Sequence, residues 1–372
     1  MVVPVLFDLK PKSRIEDLYD FKDELNQLMD GYLNGRIIAL LGIRRMGKSS
    51  LLRSFLNSFG IPNVLIDVRR IIVNHGTVNT RWFLEELGEA LSNMLSSWSG
   101  LRTKLIDALS RVRGISITLN PPSISLSWGK NRVKLASLLD SLNHVGSSAG
   151  VKIVLAIDEI QELRNISINL RETLAYIYDN LPNIVVIVTG SQVGLVYDTL
   201  KLNDPSSPLY GRAIKEIKLR RLSIEESIEF LKEGFREANV EVSNEHLERA
   251  ANALDGIIGW LTYYGWNYIH GNKDLDSIMN IAARQEVEEL QRFLTKSRAE
   301  SRYRIILKAL ANRPMRWSEI KMVLEANEGI SIDDHNFTRL LDQLIKMSIV
   351  EKYNGYYKIA DPVLEYGIKK YL

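Results

Sequence analysis

The sequence predicts an α/β fold: a parallel sheet wrapped by helices, then a helical segment, then a winged helix-turn-helix. Three observations carry this expectation. The stretch GIRRMGKSS, Gly42 to Ser50, lies between an apolar run suited to a buried strand and a run of helical period. Four further β-branched runs, opening at Val64, Lys152, Ile184 and Ala213, are separated by helix-patterned segments. Near the C-terminus, three amphipathic segments precede a hairpin pattern turned at Asn354-Gly355.

The glycine stretch is the most specific signal. Gly42, Gly47, Lys48 and Ser49 fit the pattern of Gly, four residues, Gly, Lys, then Ser or Thr. RIIAL precedes it as a strand, and SSLLRSFLNSF follows with Leu51, Leu52, Phe55, Leu56 and Phe59 at helical spacing. In that setting the loop through Arg44, Arg45, Met46 and Ser50 wraps a polyphosphate, with N–H groups and a helix N-terminus aimed at its oxygens. Lys48 then reaches the β- and γ-phosphates, and the Ser49 hydroxyl ligates Mg²⁺. The expected ligand is a nucleoside triphosphate.

Composition sets the outer bounds. The chain has 372 residues, enough for two or three domains, with 45% apolar and 25% charged residues. A net charge of +3 points to no partner, so a nucleic-acid site must be a local patch. There is no cysteine, which rules out disulfides and thiolate metal sites and fits a cytoplasmic location. The five histidines show no ligand spacing. The N-terminus does not read as a signal peptide, and no apolar run reaches membrane-spanning length, so a soluble chain is expected.

Before the loop, residues 15–33 read as a helix; Ile15, Tyr19 or Phe21 would pack on an adenine ring, or the helix simply covers the sheet. VLIDVRR (64–70) reads as the second strand, and residues 81–111 look helical. ISITLNPPSISLSW then alternates like a β-hairpin, which predicts an insertion projecting from the core at about 112–130. Around it, residues 98–134 carry seven Lys/Arg, including Arg111, Arg113, Lys130 and Arg132, against Asp107 alone. KIVLAIDEI delivers Asp158 and Glu159 to the carboxyl edge of the sheet. Asp158 suits Mg²⁺ and Glu159 suits activation of the attacking water. IVVIVTGSQ ends in small polar residues, of which Ser191 is favoured to sense the γ-phosphate. Arg212 precedes the last strand and is expected near a nucleotide, its own or a neighbour's, to stabilise charge on the transferring phosphate. Residues 221–285 read as a helical lid and 286–372 as the winged helix, leaving 1–220 for the nucleotide domain. The third winged-helix segment carries Arg339 and Lys346 against Asp333, Asp334 and Asp342, which leaves DNA and protein equally open as its partner.

With these residues in view, the chain resembles an archaeal-type ATPase of the AAA+/STAND assemblage. The resemblance spans nearly the whole chain and rests on GIRRMGKSSLL, LIDVR, IDEIQEL, VTGSQVGL, PLYGR and GIIGWLTYYG. It implies a P-loop fold with sheet order 5-1-4-3-2, Asp158-Glu159 as Walker B, Ser191 as sensor one and Arg212 at an arginine-finger-like place. The chain departs from related switch ATPases in three ways. Gly259 in GIIGW lacks the Gly-x-Pro of their lids, no sensor-two arginine stands out, and Phe21 occupies a place where many relatives carry arginine. The expected activity is Mg²⁺-dependent ATP hydrolysis coupled to double-stranded DNA through the winged helix and the basic hairpin. The alternative is a slow regulatory switch using the winged helix for protein contact, alone or as a homo-oligomer. A small-molecule kinase is disfavoured, because a glutamate beside the Walker B aspartate activates water.

Overall fold

The computed structural model describes residues 5–129, 132–202 and 204–372. In chain order, α1 (Lys22–Asn34) leads to β1 (Ile37–Leu41), the phosphate loop and α2 (Lys48–Ser58). β2 (Asn63–Asp67) runs straight into α3 (Val68–His75), followed by α4 (Thr80–Ser97) and α5 (Ser99–Ser110). The hairpin β3 (Ile115–Leu119) and β4 (Pro122–Leu126) precedes α6 (Leu135–Ala149), β5 (Ile153–Asp158), α7 (Leu170–Asn180) and β6 (Ile184–Gly190). α8 (Val193–Leu200) and β7 (Ile214–Lys218) complete the sheet domain. The lid helices are α9 (Ile224–Glu237), α10 (Asn244–Leu254) and α11 (Ile258–Ile269), and α12 (Leu275–Leu294) connects onward. The winged helix comprises α13 (Glu300–Asn312), β8 (Met315–Arg316), α14 (Trp317–Glu328), α15 (Asp334–Lys346), β9 (Val350–Tyr353) and β10 (Tyr356–Ile359); α16 (Pro362–Tyr371) ends the chain.

The five-stranded sheet has the order β2-β5-β6-β1-β7, all parallel, which is the 5-1-4-3-2 arrangement. β1 and β6 are buried along their whole length, and this explains their unbroken apolar sequence. One face of the sheet packs with α3–α7, the other with α1, α2, the lid and the first half of α12. The second half of α12 joins the winged-helix core instead. α12 is therefore continuous across residue 285, where the sequence suggested a domain boundary.

Four local expectations need correction. VLIDVRR is half strand: Asp67 accepts from Arg69 N and caps α3, so Val68–Arg70 turn into a helix. The helix expected over 15–33 is two pieces, Ile15–Asp17 and Lys22–Asn34, while the helical stretch 81–111 is two helices meeting at Trp98. The hairpin does not project. β4 lies across α4, where Ile124 N donates to Ser92 Oγ at 2.7 Å and a Cβ on Gly88 would sit 2.9 Å from the Ile124 carbonyl. Of the basic residues around it, Arg102 and Lys104 spend their charge on the Leu95 and Ser148 carbonyls, and Lys130 lies outside the described residues. The wing carries a third strand, β8, and α16 folds back on α12, with Gly367 allowing close approach to Ala283.

Three ties seat the winged helix on the rest of the protein. Arg221 pairs with Glu351 at 3.1 Å and donates to the Ala360 carbonyl at 2.5 Å. Lys346 at the end of α15 pairs with Asp198 of α8 at 3.0 Å, and the Ser348 hydroxyl accepts from Val193 N. Trp260 of α11 donates its indole N–H to buried Asp361, which also caps α16.

Candidate active site

The parallel register brings the site to one edge. Leu41 of β1 stands level with Gly190 of β6, and Asp67 of β2 with Asp158 of β5. The phosphate loop leaves β1 at that edge, with Arg45 (φ 64°) and Gly47 (φ 85°) in the left-handed region. Gly47 is required twice over, since a Cβ there would also lie 2.9 Å from the Phe21 ring. The first turn of α2 has no side-chain cap, so its free N–H groups are left for a ligand.

Lys48 is 5% exposed, and its Nζ donates to the carbonyls of Gly42 at 2.7 Å and Ile43 at 2.8 Å. Burial pulls its pKa down to about 8, against the opposing pull of Glu159 and Asp158. The amine thus bridges its own loop, with phosphate oxygens as the natural replacement partners. Ser49 Oγ donates to Asp158 Oδ2 at 2.8 Å, and the Thr189 hydroxyl holds the other carboxylate oxygen. Burial pushes the Asp158 carboxyl above its ordinary value, outweighing those two hydroxyls. Adjacent ligands of octahedral Mg²⁺ at about 2.1 Å stand about 3 Å apart, so Ser49 and Asp158 have the spacing and the hard oxygen donors that Mg²⁺ takes. Among the described residues no group of three or more His, Cys, Asp or Glu could hold a metal ion.

Glu159 leaves the strand at φ 61°, in the left-handed region. It accepts from Ser191 Oγ at 2.7 Å, Ser191 N at 3.0 Å and Gln161 Nε2 at 2.5 Å, and it ion-pairs with Arg69. Burial pushes its pKa up, but Arg69, Lys48 and the Ser191 and Gln161 hydrogen bonds together outweigh that and hold it below the usual carboxylate value. Glu159 is thus a charged, oriented carboxylate that is also restrained by Arg69.

A cleft of about 390 Å³ opens here, lined by Tyr19, Phe21, Arg44, Arg45, Lys48, Ser49, Ser50, Arg69 and Glu159. Tyr19 packs edge-on to Phe230 (centroids 5.2 Å) and donates to the Glu226 carbonyl at 3.2 Å, tying the cleft wall to α9. Its hydroxyl pKa is raised to about 12, chiefly by burial. Ser50 Oγ accepts from Lys12 N at 3.1 Å and so anchors the N-terminal segment across the opening. That segment is pinned by Phe7, whose ring fills the space left by Gly234 and Gly265. Met46 is buried in the core rather than facing the cleft, and the ring of Phe21 packs on Gly47. Gly259, where the Gly-x-Pro of related lids is missing, packs on the loop itself, with its N–H donating to the Arg45 carbonyl at 2.8 Å.

The loop arginines reach the other way as well. Arg44 pairs with Glu289, and Arg45 pairs with Glu286 at 3.0 Å, both acids on α12. The Arg45 guanidinium lies 3.8 Å from the Trp260 ring centroid. Arg212 is not brought to this cleft. β7 runs parallel to β1, so a residue before Ile214 sits at the opposite edge of the sheet, where Arg212 pairs with Asp179 at 2.6 Å. Ser191 also stands behind Glu159 rather than in the cleft. The sequence reading missed Arg69, Gln161, Glu286 and Asp361 as parts of this constellation. Of these, Arg69 alone had a signal: it follows a strand that ends at the same sheet edge.

Sheet order, phosphate loop, paired acids, lid and wing together define a P-loop ATPase with a C-terminal winged helix. A family described as an ATPase domain predominantly from Archaea matches residues 18–263, and the chain belongs to it. Residues 297–360 match the C-terminal winged helix-turn-helix domain of MCM proteins. Among solved structures, the chain is similar to the Walker-type ATPase PABY2304 of Pyrococcus abyssi, with 35% identity, TM-score 0.81, and 98% of this chain covering 99% of that one. It also shares the fold of the Aeropyrum pernix ORC2 protein, solved in ADPNP–ADP complexes, at 12% identity, TM-score 0.60, and 98% and 95% coverage. A search of curated proteins found no match. No helix among the described residues is long and apolar enough to cross a membrane.

Proposed function

We propose that this ATPase uses Mg²⁺-ATP and couples its nucleotide state to double-stranded DNA through the winged helix. One observation carries the reading: the phosphate loop is wired to the winged helix by side chains. Arg45 stacks on Trp260, Trp260 donates to Asp361 at 2.9 Å, and Asp361 begins the last helix, while Glu286 and Glu289 hold Arg44 and Arg45 from α12. Nucleotide phosphates compete with those glutamates for the two arginines, so occupancy of the site bears on both elements that carry the wing.

In the filled site, Lys48 would move from the loop carbonyls to the phosphates, and Ser49 and Asp158 would hold Mg²⁺, which would supply neutralisation of phosphate charge. Glu159 takes the proton of the attacking water, with Ser191 and Gln161 fixing its carboxylate. Arg212 acts on a neighbour's nucleotide if the protein assembles, since its own site lies across the sheet. ATP turnover measured with and without duplex DNA tests the reading: stimulation is expected, and equal rates at low salt would refute the coupling. The protein-switch alternative draws support from the end of α15, where Lys346 and Ser348 are already engaged with α8. Slow turnover insensitive to DNA would favour it.

A further inference from the structure

A second cleft, about 830 Å³, lies between the α12–α13 turn, the outer side of α15 and the turn after Glu159. Arg164, Arg292, Lys296, Arg298 and Arg339 line it, and among the described residues none of these five has an ion-pair partner. Most arginines elsewhere are paired, so this concentration is unusual for the molecule. Arg302 and Lys346 add two paired cations, and Asp342 is the single acid in the wall. Like charges gathered in one cleft repel unless an anion sits among them.

We propose that this cleft holds the sugar-phosphate backbone of duplex DNA, so that the winged helix and the ATPase core grip the same strand. The inference rests on the duplex-coupled reading above and gives it a location. Asn336, Arg339 and Gln343 repeat at helical spacing along the cleft side of α15, which puts groups able to bond phosphates or base edges beside the cations of the α12–α13 turn. The aromatic residues in the wall, Phe293 and Tyr303, pack into the winged-helix core and against each other (centroids 5.4 Å). They offer no stacking platform, which argues for a duplex over a single strand. Arg164 ends the short turn Ile160–Leu163 that begins directly after Glu159. A phosphate held by Arg164 is therefore linked to the Glu159 carboxylate through the four residues Ile160–Leu163.

Fluorescence anisotropy with a short labelled duplex across a salt series tests the site. The fourfold variant Arg292→Ala/Lys296→Ala/Arg298→Ala/Arg339→Ala should flatten the log–log salt slope by about three to four units, at about 0.9 per phosphate contact. Thermal unfolding checks its fold. If that variant is unstable, Arg298→Ala alone should cost about one unit. A comparison variant, Arg111→Ala/Arg132→Ala on the hairpin side, should leave the slope unchanged. Arg164→Ala should cost about one unit and abolish stimulation of turnover by duplex. If wild type binds duplex but the fourfold variant keeps its slope, the cleft is wrong and the duplex reading stands. If wild type binds no duplex at low salt, or prefers single strands or RNA, the cleft assignment falls, and in the first case so does the duplex reading.

Discussion

Raising the pH should weaken ATP binding through one buried amine. Lys48 has a pKa of about 8 in the free protein because burial disfavours its charge, against 10.5 for an ordinary lysine. That displacement corresponds to roughly 3 kcal/mol of differential interaction between its two protonation states. Between β- and γ-phosphates the charge is restored, so binding above pH 8 must take up a proton. With the bound pKa well above the range, the apparent Kd rises by a factor of 1 + 10^(pH − 8), about tenfold between pH 7 and pH 9. Isothermal titration in two buffers of different ionisation heat reads both quantities, and about one proton should be taken up per ATP at pH 9. Lys12 lines the same cleft and is also shifted down, chiefly by burial, so Lys12→Ala is the control that isolates Lys48. A Kd flat to pH 9.5, with no proton uptake, would refute the assignment of Lys48. The sign also bears on stability. A lysine depressed in the fold destabilises it fully below about pH 8, and the penalty fades as pH rises toward 10.5, so Lys48→Met should be at least as heat-stable as wild type at pH 7 while losing ATP binding.

Other substitutions test the remaining groups. Glu159→Gln should bind ATP normally yet hydrolyse it at least ~100-fold more slowly in a phosphate-release assay; normal turnover would reduce Glu159 to a strand-end charge. Arg69→Ala removes the largest attraction holding the Glu159 pKa down, so the acid limb of the kcat profile should shift to higher pH; an unmoved limb would mean that Arg69 does not govern the base. Arg212→Ala mixed with Lys48→Ala protein should regain turnover if Arg212 serves a neighbouring subunit; no rescue, with monomers on gel filtration, would leave Arg212 as a partner of Asp179 only.

Features local in sequence were the legible ones. The glycine spacing gave the phosphate loop, and the apolar run ending in Asp158-Glu159 gave the acid pair, because each is written within a few consecutive residues. Order within the sheet followed from the resemblance and matches the observed strands. Long-range placement was not legible. The hairpin's seat on α4 depends on Gly88, a single helical glycine with no pattern around it. Asp361 reads in sequence as an ordinary turn residue, yet it accepts from Trp260, a hundred residues away. The second cleft joins the local run Arg292, Lys296, Arg298 and Arg302 to Arg164 and Arg339, which nothing in the sequence ties to it. The distance of Arg212 from its own cleft follows from a feature the sequence did contain: it begins a parallel strand, whereas the phosphate loop ends one.

Affinity for duplex DNA in two nucleotide states tests the central claim most directly. Binding couplings are reciprocal, so if DNA and ATP share one equilibrium, exchanging ADP for a slowly hydrolysed ATP analogue must change the duplex Kd. Coupling through Arg45, Trp260 and Asp361 predicts a change of at least about fivefold, or about 1 kcal/mol, in wild type. Trp260→Phe keeps the ring but removes the hydrogen bond to Asp361, and it should shrink that ratio. Equal duplex affinity in both states, by a wild-type protein that binds both nucleotides, would contradict the account.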